Sequence, residues 1–481
     1  MSDVSALDCA SAGRSEEPHR HGWLVAAVGL TAVGTVLSAV VAAGQPILGS
    51  RWPLLGLLGI WAVTWLATVV VVFRLAPTAA LWLIVLGAVA LRLAALAGPP
   101  VTSDDLYRYS WDGRVQAAGI DPYAAPPSSP ALARLRSPWL WPNPAGCAAL
   151  RRPPGCTRIN RSTDRTIYPP LAEQWFATVY RVAGPGAKHK AWQVAGLVVD
   201  VASVGLLLVG LDAWGRDRRW AALYALSPAP VLELVNNGHV DALAILLLLG
   251  ALVIVSPPYR RSWSDVAAGV LIGGAALVKV YPALALVALA GVAPVRRTLI
   301  RAGAAAAAIS GLLYLPHVLA VGTKVLGYLP GYLREEHYSG GGRFLVAAAL
   351  HVPAELAGVV SVGAVLATLA WVLIRRPPPP VGVAALLGVL LLAASPVQPW
   401  YATALLAIAA LAGRPRWTAV VLAAYPYFFA VILASPHAAA IGEAGYSLAA
   451  VAVLLAAASR RSRSADRRVH LDDHPPVGRY R

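Results

Sequence analysis

The chain has 481 residues, of which 58% are hydrophobic and 13% are charged, and its formal net charge is +17. A soluble domain is about half apolar and about a quarter charged, so this composition excludes an ordinary soluble protein. The positive charge fits basic loops on one side of a membrane together with a basic tail, and we expect no nucleic-acid partner.

Long apolar runs recur along the chain and predict an all-α, polytopic transmembrane helical bundle. A hydrocarbon core of about 30 Å needs about 20 apolar residues per helix. The runs are continuous rather than alternating, which favours helices over a closed barrel. We predict about 13–14 helices, at residues 22–43, 54–73, 79–97, 191–211, 219–235, 239–256, 265–279, 282–293, 299–318, 354–374, 381–395, 400–413, 417–434 and 443–459. The two segments that meet at Lys279 to Pro282 could instead form one broken or re-entrant unit.

The predicted helices divide the chain into tails, helical blocks and two long loops. The segments are an N-terminal tail at 1–21, transmembrane helices at 22–97, a long loop at 98–190, central helices at 191–318, a lid loop at 319–353, C-terminal helices at 354–459 and a basic tail at 460–481. Residues 1–21 lack an apolar core and a small-residue cleavage site, so we predict no cleaved signal peptide.

Arginines in the short loops predict the orientation in the membrane. They cluster at Arg216, Arg260, Arg296, Arg375, Arg414 and Arg460, which assigns these loops and both termini to the cytoplasm. Arg51 is an exception in a short outer loop. The loop 98–190 then faces outside, because long loops cross the membrane regardless of their charge. The excess of arginine over lysine, with abundant alanine, glycine and proline, indicates a GC-rich bacterial genome and hence a bacterial plasma membrane.

The loop 98–190 is too long for a simple connection, which indicates a function or disorder. Residues 105–119 and 169–182 carry mixed apolar and polar faces, and we predict helices that lie in the membrane interface. Pro126 to Arg158 is rich in proline and arginine and predicts irregular structure. Cys147 and Cys156 are expected to pair in an oxidising compartment, whereas Cys9 should stay reduced in the cytoplasm.

The segment Thr102 to Tyr123 opens this loop and holds the strongest candidate site. Asp104 and Asp105 could supply a general base and a second carboxylate that orients it. The alternative is that Ser103 or Asp104 caps a helix, but a cap needs one such residue and not the whole cluster, which favours a function. Further candidates for substrate binding follow in the same segment and at the second predicted helix, namely Arg108, Tyr109, Asp112, Arg114 and Tyr168. The alternatives are a surface ion pair between Arg108 and Asp112 and a plain proline-led helix start after Tyr168.

Later polar groups lie at predicted outer ends of helices. Glu233, His239 and Asp241 surround an Asn-Asn-Gly sequence that also predicts a turn. Lys279 could meet a lipid-borne phosphate or extend to the headgroups, and Arg92 poses the same choice. The remaining candidates for substrate binding are His337, Arg343, Gln398, Trp400 and Tyr401.

Each of these later groups also has an ordinary alternative. The loop with His337 and Arg343 predicts a phosphate-binding lid, or a solvated loop. Trp400 would also suit an aromatic belt at the membrane surface. We find neither a metal-ligand motif nor a nucleotide-binding motif, so we expect no metal and no cofactor.

Several stretches together resemble the GT-C superfamily of integral-membrane glycosyltransferases. They are SDDLYRYSWDGR, TIYPPLAE, NNGHVDAL, LVKVYPALAL and PVQPWYATALL, within roughly residues 85–415. The chain is most similar to the bacterial polyprenol-phosphate-mannose-dependent α-mannosyltransferases of lipomannan and lipoglycan assembly. Residues 126–165 have no counterpart in this resemblance.

The resemblance implies an inverting enzyme with a catalytic aspartate in its first large extracytoplasmic loop, which matches Asp104 or Asp105. It implies a polyprenyl-phosphate sugar donor, a glycolipid or glycan acceptor and a bilayer around the protein. The competing interpretations are another lipid-linked sugar such as arabinofuranose or glucose, a lipid or sugar transporter, and a non-catalytic assembly protein. A transporter would more typically carry two related halves, and we find no such repeat in the sequence.

Reporter fusions test the predicted orientation. Fusions after Arg216, Arg260, Arg296, Arg375 and Arg414 should report the cytoplasm, and fusions within 126–160 should report the outside. A cytoplasmic signal from 126–160 would contradict the orientation, because it would place Asp104 and Asp105 away from an external acceptor.

Overall fold

The structure is a computed structural model that describes residues 16–44, 51–338 and 340–472. The predictions for Cys9 and for residues 473–481 lie outside the described residues. The described residues are helical with no β-strand, which confirms the predicted all-α, polytopic bundle. Within this described part of the chain, eight helices are long and apolar enough to cross a membrane, and a bent helix pair provides a ninth candidate span.

The N-terminal half contains two helical blocks and the long loop between them. Its α-helices are α1 Glu16–Ala43, α2 Arg51–Val72, α3 Pro77–Ala94, α4 Asp105–Ala117, α5 Pro144–Ala149, α6 Pro170–Ala183, α7 His189–Ala213, α8 Ala222–Ala225 and α9 Pro228–Pro230. Short 3₁₀ turns occupy Ala95–Ala97, Pro130–Leu135 and Arg218–Ala221, and a π-helix runs over Val231–Asn236.

The C-terminal half alternates long and short helices. They are α10 Asp241–Ile254, α11 Ser264–Ala276, α12 Ala285–Ala288, α13 Val295–Val321, α14 Leu329–Glu335, α15 Leu345–Ala349, α16 Ala354–Arg375, α17 Pro379–Ala394, α18 Tyr401–Leu411, α19 Thr418–Ile432 and α20 Ala438–Asp472. Further 3₁₀ turns lie at Tyr281–Leu284, Leu289–Gly291, Gly322–Leu326 and Pro415–Trp417.

Two predicted helices differ from the structure. The predicted helix 219–235 is broken, because Pro228 and Pro230 have no backbone N–H to donate and so interrupt regular α-helical bonding. The segment Pro228–Asn236 then meets helix α10 at an angle of 120°. The predicted helix 282–293 is a series of short turns between Tyr281 and Gly291.

The break in the bent pair contains the predicted Asn-Asn-Gly turn. Gly238 has a positive φ of 65°, a conformation that glycine adopts without steric cost. Residues Leu232 to Asp241 are buried, so this turn lies inside the protein rather than on its surface. Its side chains therefore face protein groups.

The long loop folds into a layer with its own apolar core. Leu106, Tyr109, Trp111 and Phe176 are buried in this core with residues of α7 and α10. Helix α4 packs closely on α6 at Gly113, where a Cβ atom would lie 2.4 Å from the carbonyl oxygen of Phe176. Both predicted loop helices are present, but α4 is buried on nearly all sides, so it does not expose the polar face expected of an interfacial helix.

Arg92 forms an ion pair inside the protein. The sequence had predicted that it meets a lipid-borne phosphate or extends to the headgroups, and the structure shows neither. Its Nε donates to Asp200 Oδ2 at 2.7 Å, and both side chains are fully buried. Its Nη1 donates to the carbonyl oxygen of Ala225 at 2.7 Å, and the Tyr224 hydroxyl donates to Asp200. Arg92 therefore ties α3, α7 and α8 together and does not face a lipid headgroup.

Candidate functional site

A cavity of about 710 Å³ lies between the long loop and the ends of the C-terminal helices. Such a volume is typical of sites for small molecules. The residues predicted from sequence that line it are Asp104, Asp105, Arg108, Tyr168, Lys279, His337, Arg343, Gln398, Trp400 and Tyr401. The structure thus brings together groups that are far apart in the sequence.

The segment before the acidic pair is held by the Asn-Asn-Gly turn. Asn237 Oδ1 accepts hydrogen bonds from the backbone N–H groups of Val101 and Thr102 at 3.2 and 3.1 Å. Asn237 Nδ2 donates to the Thr102 hydroxyl at 2.6 Å and to Glu233 at 2.9 Å. Asn236 accepts from Val101 at 3.0 Å and donates to the carbonyl oxygen of Pro99 at 3.2 Å. The two asparagines therefore fix the chain from which Asp104 and Asp105 project.

The two adjacent carboxylates have different surroundings. Asn160 Nδ2 donates to Asp104 Oδ1 at 3.0 Å and to Asp105 Oδ1 at 2.5 Å, so it bridges them. Tyr168 donates its hydroxyl to Asp105 Oδ2 at 3.1 Å. The Asp105 side chain is only 14% exposed, whereas that of Asp104 is 40% exposed. Asp105 is thus held in the wall, and Asp104 faces the open cavity.

Asp104 does not cap the following helix with its side chain. The hydroxyl of Ser103 accepts from the Asp105 N–H at 3.2 Å instead, which leaves the Asp104 carboxylate free for another role. Desolvation by the surrounding protein, and then the charge of Asp105, raise the pKa of Asp104 to about 6. A carboxyl group with such a pKa is suited to exchange protons near neutral pH.

Three further predicted residues form a buried layer behind Asp105. His239 Nδ1 lies 3.6 Å from Asp105 Oδ2 and 3.4 Å from the Tyr109 hydroxyl. Its Nε2 lies 3.7 Å from Glu233 Oε2. The imidazole stacks on Trp400 with ring centroids 4.0 Å apart. This layer positions Asp105 and does not itself line the cavity.

Lys279 supplies positive charge in the cavity wall. Its Nζ lies 3.5 Å from Asp241 Oδ2 and sits over the rings of Tyr168 and Tyr401 at 5.2 and 5.1 Å. Asp241 is fully buried and lies behind the wall. The lysine is therefore held in place between two aromatic rings rather than extended along the helix surface.

The rim contains basic residues that the sequence did not single out. Arg152 Nη2 lies 3.8 Å from Asp104 Oδ2. Arg161 pairs with Glu335 at 2.7 Å and lies over the rings of Tyr328 and Tyr332. Arg152 lies in the stretch Pro126 to Arg158 for which the sequence predicted irregular structure. Asn160 and Arg161 follow it, within residues 126–165 that have no counterpart in the resemblance, so no motif marked any of the three.

The two predicted lid residues, His337 and Arg343, have different surroundings. His337 is exposed at the rim. Arg343 is buried, where it donates to Glu336 Oε2 and to the Tyr427 hydroxyl, both at 2.6 Å. Gln398 Nε2 in turn donates to Glu336 Oε1 at 2.8 Å. Arg343 therefore organises the rim instead of offering a free guanidinium.

Two predicted residues on α4 lie away from the acidic pair. Asp112 accepts from Arg108 Nε at 2.8 Å in a buried pair, not the surface pair considered above. Glu173 on α6 lies close to this pair, and burial together with the charge of Asp112 raises the pKa of the Glu173 carboxyl well above its usual range. Arg114 lines a separate cavity on the other side of α4.

The site combines a proton acceptor with fixed cations and aromatic rings. Asp104 could take a proton from a hydroxyl, and Lys279 and the rim arginines could stabilise a leaving anion. The lining also includes apolar side chains, namely Leu345, Val397, Phe428, Val431 and Ile432. Among residues 16–44, 51–338 and 340–472, no group of three His, Cys, Asp or Glu residues is arranged to hold a metal ion.

The disulfide prediction concerns the loop beside this site. Cys147 and Cys156 are joined, with their Cα atoms 5.8 Å apart. The bond closes residues 147–156, and Thr157 and Arg158 follow directly. Thr157 donates its hydroxyl to the carbonyl oxygen of Leu140 at 2.7 Å, which ties the chain after the closed segment to the chain before it.

Comparison with known proteins gives a match to one family model over part of the chain. Residues 167–396 match the model of glycosyltransferase family 87. This range is just under half of the chain; it begins after Asp104 and Asp105 and ends before Gln398. The match supports a glycosyltransferase. No curated protein and no solved structure matches the chain.

Removal of the Asn237 side chain tests the attachment of the acidic segment. In Asn237→Ala, we expect faster hydrogen exchange in a peptide covering residues 99–106, because the Thr102 N–H loses its acceptor and the Val101 N–H keeps only Asn236. Hydrogen-exchange mass spectrometry measures this directly. Asn143→Ala is a matched control, since Asn143 caps α5 and does not contact the segment. Equal exchange in the wild type and Asn237→Ala would contradict the role of Asn237.

Proposed function

We propose that the chain is an inverting hexosyltransferase that transfers a sugar, which we take to be mannose, from a polyprenyl-phosphate donor. The acceptor is a cell-envelope glycolipid or glycan. The observation that carries the proposal is the Asp104 carboxylate, which faces the cavity while Asn160 and Asp105 hold its surroundings. The family match over residues 167–396 supports the reaction class.

The reaction is a single displacement at the anomeric carbon. Asp104 accepts the proton of the acceptor hydroxyl as its oxygen attacks that carbon. The bond to the phosphate breaks, and its electron pair leaves with the phosphate oxygen. Attack on the face opposite the leaving group inverts the configuration. Asp105 supports the base, because Tyr168 and Asn160 hold it in the wall.

Positive groups stabilise the departing phosphate. Lys279 faces the cavity, and Arg152 and Arg161 reach it from the loop. Such fixed charges are most effective where water is excluded, which also limits hydrolysis of the donor. His337 and Arg343 complete the rim in this proposal.

The lining of the cavity contains groups that suit both parts of the donor. The apolar side chains of Phe428, Val431 and Ile432, which lie within one turn of each other on α19, suit the polyprenyl chain. Polar and aromatic side chains near the carboxylates suit the sugar, because sugars bind to hydrogen-bonding groups beside aromatic faces. Tyr168, Gln398, Trp400 and Tyr401 supply these groups.

The remaining predicted residues act through others. Glu233, His239 and Tyr109 position Asp105, and Asp241 positions Lys279. Arg108 and Asp112 hold α4 to the loop, because Arg108 Nη1 also donates to the carbonyl oxygen of Asp164 at 3.0 Å.

The proposed location is a bacterial plasma membrane with the cavity on the extracytoplasmic face and both termini in the cytoplasm. Support comes from the eight candidate spans and from the arginines of the short loops. The transfer assay uses membranes with purified polyprenyl-phosphate-mannose and a panel of acceptors, with products resolved by mass. Arabinofuranose and glucose donors in the same assay test the alternative sugars.

Asp104→Asn should lower the transfer rate by about 10²-fold or more, because the amide keeps the size of the carboxylate but cannot accept the proton. The variant should still fold and reach the membrane. Asp212→Asn is a matched control, since Asp212 is an exposed acid paired with Arg218. Normal turnover in Asp104→Asn with an inactive Asp105→Asn would reverse the two roles. Full activity in both variants would reject the proposed base.

The transfer rate should depend on pH through Asp104. The carboxylate is the active form, so a pKa of about 6 predicts a rate that falls as the pH drops below 6 and levels off above about 7. The hydrogen bond from Asn160 lowers the pKa of Asp104, so Asn160→Ala should move the midpoint to a higher pH. Rate profiles from pH 5 to 9 measure both effects. An unchanged midpoint, or one at lower pH, would contradict this assignment.

A further inference from the structure

A second cavity, of about 590 Å³, lies on the far side of helix α4 from the first. Ser110 and Arg114 line it, whereas Asp105 and Arg108 line the first cavity. On a regular helix Asp105 and Ser110 point about 140° apart. The two cavities are therefore separate and share one wall, which is α4.

Basic residues dominate the charge of this second cavity. Arg114, Arg158 and Lys188 line it, and the described residues of its lining include no carboxylate. Arg158 Nε donates to the carbonyl oxygen of Trp139 at 3.1 Å. Arg114 and Lys188 form no ion pair with any residue that the structure describes. Like charges that share a cavity repel one another, and an anion among them would relieve that repulsion.

Two hydroxyl groups that line the cavity lack a hydrogen-bond partner. They belong to Ser110 and Tyr180, residues that are 3% and 8% exposed. Within the described parts of the chain, neither hydroxyl has a hydrogen-bond partner. Neither oxygen is sealed off from the cavity. Both hydroxyls are therefore available to donate hydrogen bonds to a bound group.

The residues on either side of the disulfide-closed segment line one part of the cavity. Residues Ser137 to Gly146 precede the Cys147–Cys156 bond and contribute much of the lining, and Arg158 follows the bond. The Arg158 N–H donates to the carbonyl oxygen of Leu140 at 2.9 Å, which holds the cation at the wall. This segment precedes the range that matches family 87, so most of the cavity is built outside that range.

Another part of the lining lies at the end of a candidate membrane span. Pro185 to Lys188 line the cavity, and α7 begins at the next residue, His189. This part of the lining is therefore close to the level at which a bilayer presents its phosphates.

We propose that this second cavity binds a phosphate group, either on an anionic lipid headgroup or as a free ion. Arg114, Arg158 and Lys188 supply the positive charge, and Ser110 and Tyr180 donate hydrogen bonds. Charge-assisted bonds of this kind are the strong ones that proteins use for phosphate. The volume exceeds that of one phosphate, so a headgroup can lie beside Trp139. The occupant contacts the face of α4 that points away from Asp105.

Binding to the purified full-length chain tests the proposal without any sugar transfer. The chain is placed in nanodiscs of zwitterionic phosphatidylcholine. Inorganic phosphate is titrated in one arm, and phosphatidylglycerol is exchanged into the nanodisc in the other, with bound lipid counted by native mass spectrometry. We expect binding in at least one arm. Arg114→Gln should weaken it about tenfold or more, because a charge-assisted bond is lost.

A second variant and a control separate a local effect from misfolding or general charge. Lys188→Gln should also weaken binding. Lys188 is exposed, so its replacement leaves the packing of the protein intact, whereas Arg114 is partly buried. Arg134→Gln makes the same charge change at an exposed residue outside the cavity and should bind like the wild type. If Arg114→Gln and Lys188→Gln bind less phosphatidylglycerol, the occupant is a lipid headgroup. If they bind less inorganic phosphate and the same amount of lipid, the occupant is the free ion. No binding in either arm, or equal losses in Arg134→Gln, would overturn the proposal whatever the transfer assay gives.

Discussion

The attachment of Val101 and Thr102 to Asn237 is the interaction on which the first cavity depends. The chain around Pro99 to Ser103 is not helical, so its backbone groups need partners from elsewhere. At this depth in the protein such groups are costly when left unpaired. Asn236 and Asn237 supply the partners, and they can do so because the bent helix pair turns between them and α10. The position of the carboxylates thus follows from the break in a helix.

The same break also determines what surrounds Asp105. His239 follows the turn and packs between Asp105 and Glu233, while Trp400 covers its ring. Each contact is made by a buried side chain with little room to move. A rigid wall on one side leaves Asp104 as the more exposed of the two acids. The difference in exposure between adjacent residues is therefore a result of packing and not of their own chemistry.

Much of the fold and part of the site could be predicted from the sequence. Apolar runs marked the membrane helices, because length and hydropathy are local properties. The cluster of acids and aromatics marked Asp104 and Asp105, and the two prolines at a helix start drew attention to Tyr168. The partners of these groups were harder to find. Asn160 lies in an irregular loop without periodicity, and Asn237 fitted a surface turn equally well. Arg92 suggested a lipid contact, because its partner Asp200 is more than 100 residues away and only folding brings the two together. Long-range pairs of this kind leave no mark in local composition.

The order in which the chain is synthesised has a consequence for this site. Thr102 is held by a residue 135 positions later, and Glu233 is held by Tyr425, a further 192 positions on. A ribosome delivers the acidic segment early, before either partner has been made. The carboxylates are therefore synthesised ahead of the groups that organise them. A chain arrested before Trp400 would carry both acids but lack the ring that covers His239, so the surroundings of the acids are complete only near the end of synthesis.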